Sequence, residues 1–379
     1  MQLLFSFFLI FCNNQSDPVQ NEQCYKIASA PLCGYDNTLI RIFFLIFYII
    51  FLSGCDSSQS HPIQKNKKQN IFHQALENEL SCSRGQGESG AWPREIELDH
   101  ITRKWNTGES ILQKRKFFLA SQPKRIVAHS VGVSEILWAI VPRERLSGFH
   151  ESCTHAENSI LSEEFQRQGP IFSASQTEKV ITWKPDIVFV ASYSDYAFQQ
   201  ALSHAGIMTL DTGYVGNMAE LKKQILFLGE CLGEEGNARE LIKTIEKYTA
   251  QFPQKFPILK NIRVLDYSSF NTVSGKDSTF QAICDILGLI NVGAEAGIQG
   301  FKTVEAEWIL KQNPQAIVFC SYAVQEKLQK NPLLKELKAV KMGHLVYIEP
   351  KYLSSISQYM IAAANQLAEK LNALDLKKP

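Results

Sequence analysis

The chain has 379 residues, enough for two lobes with a core each, and carries 39 Lys and Arg against 38 Asp and Glu, a net charge of +1. So even a balance leaves no basic field for a polyanion and no acidic tail, which argues against a nucleic-acid partner. The nine cysteines, at 12, 24, 33, 55, 82, 153, 231, 284 and 320, form no CxxC pair and no zinc-ligand spacing; Cys284 and Cys320 lie in apolar runs and read as small core residues.

Two apolar runs open the chain, Met1–Cys12 and Ile42–Leu52, each short for a bilayer span. The second follows Arg41, passes through Leu52–Cys55 (LSGC) and gives way to a polar spacer, the order of a secretory signal with its cleavage site. LSGC resembles the lipobox of bacterial lipoproteins. The resemblance implies that residues 1–55 are a signal segment, that Cys55 is diacylated, and that the mature protein is lipid-anchored on the periplasmic side of the inner membrane or the outer face of the cell membrane. Asp56 behind the cysteine points, by the same resemblance, to the inner membrane. The bland alternative is an apolar run that happens to precede a cysteine. Translation from a non-AUG codon near Leu39 or Ile40 is the expectation for the segment upstream.

Residues 56–92 are polar, with SRGQGESG as a flexible patch, and predict a tether. Arg94–Trp105 alternates as a strand or hairpin does. An N-terminal α/β lobe over 93–232 follows: a strand at Arg125–Ser130 (RIVAHS), a turn and helix over Ser130–Val141 with Ser134 as the expected N-cap, a strand at Leu146–His150, a helix over Glu178–Trp183 stopped by Lys184-Pro185, strands at Ile187–Val190 and Met208–Asp211, and a helix over Met218–Leu232. Strands alternating with helices mean a parallel sheet covered on both faces.

The next segment, 233–257, predicts one long helix. Its apolar positions Ala238, Leu241, Ile242, Ile245, Tyr248 and Phe252 recur at steps of three and four on one face. It reads as a strut, because a C-terminal lobe over 258–379 repeats what came before. RVLDYS (Arg263–Ser268) answers RIVAHS, and Glu307–Tyr322 answers Glu178–Tyr193: each block has its glutamate seven residues before a proline and fifteen before the tyrosine of a Ser-Tyr pair. Ser274–Gly288 reads as a loop and a helix, strands lie at Ala316–Cys320 and Leu345–Pro350, and a closing helix covers Ser357–Leu371. The fold class is therefore α/β, two parallel-sheet lobes joined by a single long helix with a ligand groove between them.

PKRIVAHSVGVSEILWAI, the spaced glutamates, the bridging helix and GLINVGAEAGIQGFKTVEAEWILKQNPQAIVF together resemble the helix-bridged (class III) substrate-binding proteins of bacterial ABC importers, in the branch that takes up iron-siderophores, haem and cobalamin. The likeness runs over about Gln122–Ala373. It implies a binding protein rather than an enzyme, a monomer without a resident cofactor, which hands an iron chelate, haem or corrinoid to an ABC permease dimer in the inner membrane. It also implies that one acidic residue on each lobe docks on permease arginines, and the positions matching that pattern are Glu178 and Glu307. Two like charges at corresponding places suit a two-fold partner; a helix-start carboxylate that complements the helix dipole is the bland alternative.

Ligands of open parallel sheets bind beyond the carboxyl ends of the strands. Those ends and their loops offer His129, Ser130, His150, Ser192, Tyr193, Tyr196, Tyr214, Ser268, Phe270, Ser321, Tyr322 and Tyr352, an aromatic and neutral-polar set suited to a large flat or chelated ligand. The ligand-binding residues expected are His129, Ser130, Tyr193, Tyr196, Tyr214, Phe270, Tyr322 and Tyr352, with Tyr193 and Tyr322 facing each other across the groove. The loop His150–His155 (HESCTH) holds metal-ligand types, but its HExxxH spacing is one residue longer than the helical zinc motif. A bare Zn or Mn ion and a membrane-tethered α/β enzyme acting on an envelope substrate are the alternative readings; no G-x-S-x-G, Walker or GxGxxG pattern supports the latter.

Overall fold

Four-residue apolar runs bounded by turn residues become strands buried on both faces, and these set the architecture of the computed structural model, which describes residues 67–81, 90–103, 110–191 and 194–376. Helix α1 (Lys67–Ser81) comes first, then an antiparallel hairpin of β1 (Arg94–Arg103) and β2 (Ser110–Leu119). The N-terminal lobe alternates β3 (Ile126–Ala128), α2 (Val131–Ile140), β4 (Leu146–His150), α3 (Ser162–Gln168), β5 (Ile171–Phe172), α4 (Thr177–Thr182), β6 (Ile187–Val190), α5 (Tyr196–His204), β7 (Met208–Asp211) and α6 (Met218–Leu232). Its strands form a parallel sheet in the order β5-β4-β3-β6-β7. After α7 (Glu235–Lys255) come β8 (Arg263–Asp266), β9 (Thr272–Ser274), α8 (Thr279–Leu287), β10 (Ile290–Asn291), α9 (Val292–Glu295), β11 (Phe301–Thr303), α10 (Ala306–Gln312), β12 (Ala316–Phe319), α11 (Tyr322–Lys330), α12 (Lys338–Lys341), β13 (Leu345–Tyr347), α13 (Pro350–Leu353) and α14 (Met360–Asn372). The second parallel sheet runs β10-β8-β12-β13, with β9 and β11 as a small antiparallel pair.

The sequence repeat is a repeat of hydrogen-bond register. Ile126 pairs with Ile187 in the first sheet and Val264 with Ala316 in the second, residues that correspond when the two halves are aligned. The next bonds correspond as well: the His129 amide donates to the Phe189 carbonyl at 2.8 Å, and the Tyr267 amide to the Val318 carbonyl at 2.9 Å.

Helix α7 has 21 residues and so runs about 31 Å. Asn237, Ala238, Leu241, Ile245, Tyr248 and Phe252 are buried on one face, with Ile242 packed partly against it. The helix packs on α6 and α2 of the first lobe, on α8 and α14 of the second, and on α1. One apolar core therefore runs through both lobes along α7, and the other face of each sheet has its own smaller cluster. Gly229 permits the tight α6–α7 crossing, since a Cβ there would stand 2.6 Å from that of Ala238.

The chain between the signal segment and the first lobe differs from the expected tether. Residues 67–81 are helical, and Leu76 and Leu80 are fully buried in the shared core. Two leucines four residues apart suffice to dock one face of an otherwise polar helix. The N-cap of α2 also differs: Ser130 caps it, accepting from the Val133 amide, while Ser134 sits inside the helix and donates to the Ser130 carbonyl at 2.7 Å. No helix among the described residues is long and apolar enough to cross a membrane. Residues 1–66, with the expected signal segment and Cys55, lie outside the described residues.

Candidate functional site: the strand ends between the lobes

The carboxyl ends of β3, β4 and β5 are closed by aromatic packing. His129 is 9% exposed, its ring 4.7 Å from that of His150 and 4.8 Å from that of Phe198, with Phe172 behind. The Ser194 hydroxyl accepts from the Ala191 amide at 3.0 Å and shares a hydrogen bond of 2.9 Å with His129 Nδ1, whose direction follows the tautomer of the ring. Burial, and then the neighbouring His150, push the His129 imidazole down to about 4, and burial also lowers His150. Both rings are neutral at neutral pH, and both Nε2 atoms are buried without a hydrogen-bond partner. Ser130 is 2% exposed and spent on the α2 cap. His129 and Ser130 therefore form part of the packed floor and not of an open rim.

The rim is aromatic on both lobes. Tyr196 opens α5 and is 73% exposed, its hydroxyl accepting from Gln200. Phe270, in the loop after β8, is 83% exposed, and Tyr322, opening α11 after β12, is 59% exposed. Rings of this size are left in water at some cost, and these three stand at strand ends, where open parallel sheets offer a crevice. Tyr322 stacks on Tyr347 with ring centroids 4.4 Å apart and planes 12° apart. Tyr347 ends β13, and the sequence reading had placed it within a strand and no further. Tyr267, whose hydroxyl bonds Asn271, and Lys327 beside it extend the same edge.

Two predicted residues do other work. Tyr214 is half-buried and donates to the Asp277 carbonyl at 2.8 Å, a bond from one lobe to the other. Next to it the lobes leave an open cleft of 680 Å³ between Gly216 and Asn217 on one side and Lys276, Asp277 and Gln281 on the other, with a polar lining. Tyr352 is 5% exposed and donates to Glu77 of α1 at 2.6 Å, so it belongs to the core and does not line the groove. Helix α1, absent from the sequence reading, is what covers it. Ser192 and Tyr193 lie outside the described residues, and with them the expected pairing of Tyr193 and Tyr322.

Glu178 and Glu307 occupy equivalent positions, each the second residue of the helix that leads into an interior strand of its sheet, β6 and β12. Both side chains are exposed, and neither has an ion-pair partner among the described residues. The HESCTH loop does not assemble a metal site: His150 Nδ1 is taken by Ser152, the Cys153 thiol donates to Ser134, and His155 turns towards Glu157. Among the described residues no three His, Cys, Asp or Glu side chains converge on a common point. The Ser194–His129 contact has the atoms of a nucleophile pair, but no third group orients His129 Nε2.

A two-lobed α/β chain bridged by one helix, with aromatic strand ends, is the architecture found here. The family model described as periplasmic binding protein matches residues 156–352. The chain belongs to that family of periplasmic binding proteins, and it is a binding protein and not an enzyme. It is 25% identical over 264 residues to the uncharacterized ABC transporter substrate-binding lipoprotein YvrC of Bacillus subtilis, covering 67% of this chain and 81% of that one. Among solved structures it is similar in fold to the periplasmic haem-binding protein RhuT from Roseiflexus sp. RS-1, at a TM-score of 0.56 and 19% identity, covering 66% of this chain and 98% of that one. The vitamin B12 binding protein BtuF of Vibrio cholerae matches at a TM-score of 0.51 and 17% identity, covering 66% of this chain and 96% of that one.

Proposed function

We propose that the protein is the membrane-anchored substrate-binding component of an ABC importer for an iron chelate, haem or a corrinoid. The observation that carries this is the exposed aromatic rim, Tyr196 on one lobe and Phe270 and Tyr322 on the other, each at the carboxyl ends of its lobe's parallel sheet. Flat macrocycles and aryl chelates gain from ring stacking and lose little from the scarcity of charge. The names of the similar proteins, a haem binder and a vitamin B12 binder, support the same class. Cys55 is the anchor on this reading, in keeping with the lipoprotein named among the relatives.

Delivery uses Glu178 and Glu307. Equivalent placement on two lobes related by a repeat matches a partner with two-fold symmetry, and full exposure leaves the carboxylates available to its cations. The double variant Glu178→Ala with Glu307→Ala is expected to take ligand uptake in cells to background while the purified protein keeps its affinity within twofold; unimpaired uptake would remove the docking assignment. The ligand class is tested by tryptophan and tyrosine fluorescence quenching on titration with haem, ferric siderophores and cobalamin. Saturable quenching by one of them is the expected result, and no response to any of the three would reject the transport reading.

A further inference from the structure

The two lobes are joined a second time, beneath the groove. Glu135, on α2, is 2% exposed and yet carries a carboxyl group. Its Oε1 accepts from the Ser159 hydroxyl at 2.7 Å and the Ile160 amide at 3.3 Å, both in its own lobe. Oε2 accepts from the Ser357 hydroxyl at 2.6 Å, in the other lobe, and the Gln358 side chain donates to the Glu135 carbonyl at 2.9 Å. One turn earlier on α2, a Cβ at Gly132 would lie 2.5 Å from Cγ1 of Ile356 and 3.1 Å from its carbonyl oxygen, so the two segments approach closely and any side chain there would have to displace Ile356. Helix α2 leaves the carboxyl end of β3, and the segment holding Ile356, Ser357 and Gln358 follows the carboxyl end of β13. The contact thus ties together the strand ends that frame the groove.

We propose that Glu135 is a positioning residue that holds the two lobes in register across this seam, and that loss of its proton loosens the hold. No cation faces it. Helix α2 carries no other charge; the loop after β4 brings Cys153, the opposite lobe brings Tyr359, and Glu77 of α1 and Glu164 of α3 act on the same pocket through Tyr359. Every one of these is an acid or a neutral group. Burial without a counter-ion raises the carboxyl to about 7, the bonds from Ser357, Ser159 and Ile160 offsetting only part of that cost. Around neutral pH the seam therefore alternates between a neutral acid, whose proton a serine hydroxyl oxygen beside it can accept, and a buried anion that keeps its three donors but has no counter-ion. The bearing on ligand capture rests on the binding-protein reading, whereas the seam itself is observable without ligand.

Amide hydrogen exchange of the intact protein without ligand, compared at pH 6 and pH 8 after correction for intrinsic rates, tests this. Opening of the seam amides of Val133–Ile136 and Tyr359–Ala362 is expected to rise about tenfold across that interval, as linkage requires for a group held near 7 when closed and near its ordinary value when open. Glu135→Gln is expected to abolish the rise, and amides of Val188 and Ile317 in the central strands to show none. Ser357→Ala, which cuts the bond between the lobes and leaves α2 intact, is expected to raise seam opening at both pH values. A Glu135→Gln protein with the wild-type pH response would overturn the proposal, and so would a Ser357→Ala protein with unchanged seam exchange. Because no ligand is present, neither failure bears on what the groove binds.

Discussion

His129 and Glu135 contribute to the pH response of the fold in opposite senses. His129 is held neutral down to about 4 when folded, so below pH 6.5 the unfolded chain takes up a proton that the folded one refuses, and stability falls with falling pH. Glu135 holds its proton to about 7 when folded, so above pH 4.5 the unfolded chain releases a proton first, and stability falls with rising pH. Each effect amounts to about 3 kcal/mol over its window. Urea unfolding of Glu135→Gln from pH 4.5 to 7 is expected to show stability rising relative to the wild type by about that much, and of His129→Gln to show it falling. Parallel pH profiles for the three proteins would contradict both assignments. His129 and Tyr352 were legible from strand ends, whereas Glu135, inside α2, was not singled out, and the surroundings of all three were not legible. Ser194 holding His129 and Glu77 holding Tyr352 are contacts over 65 and 275 residues of chain, and no local pattern reports such distances.

At the level of elements, α7 was readable and α1 was not. Six apolar positions at helical spacing announced the bridging helix, and five of them are fully packed. Over its second half helix α1 commits Leu76 and Leu80 to the core and adds three polar anchors: Glu77 to Tyr352, Glu79 to Lys247, and Ser81 to Tyr359. Leu76→Ala or Leu80→Ala is expected to cost about 2 to 5 kcal/mol each in chemical denaturation. A loss below 0.5 kcal/mol would show that the helix is a passive tether after all. The hairpin was half-read for a related reason. Strand β2 alternates, but its outward face bears Lys114 and Lys116, which pair with Glu97 and Glu95 across the ladder, and charges of that kind read as loop in a single strand.

For the whole molecule, the internal repeat was the most informative feature of the sequence, because a duplicated unit preserves strand pairing even where side chains diverge. Glu178 and Glu307 inherit equivalent places from it. The aromatic rim follows the same logic with less symmetry: Tyr322 stacks on Tyr347, a neighbour only the sheet order β12-β13 reveals. A groove formed by both lobes should lose affinity when either rim is stripped, while a site confined to one lobe should not. The most direct measurement is the dissociation constant for haem, ferric siderophore or cobalamin, whichever quenches the wild-type protein, in Tyr196→Ala and in Phe270→Ala with Tyr322→Ala. Weaker binding by about tenfold or more in both variants, with unchanged thermal stability, is the result predicted from ring stacking. Wild-type affinity in either one would contradict a ligand site shared between the lobes.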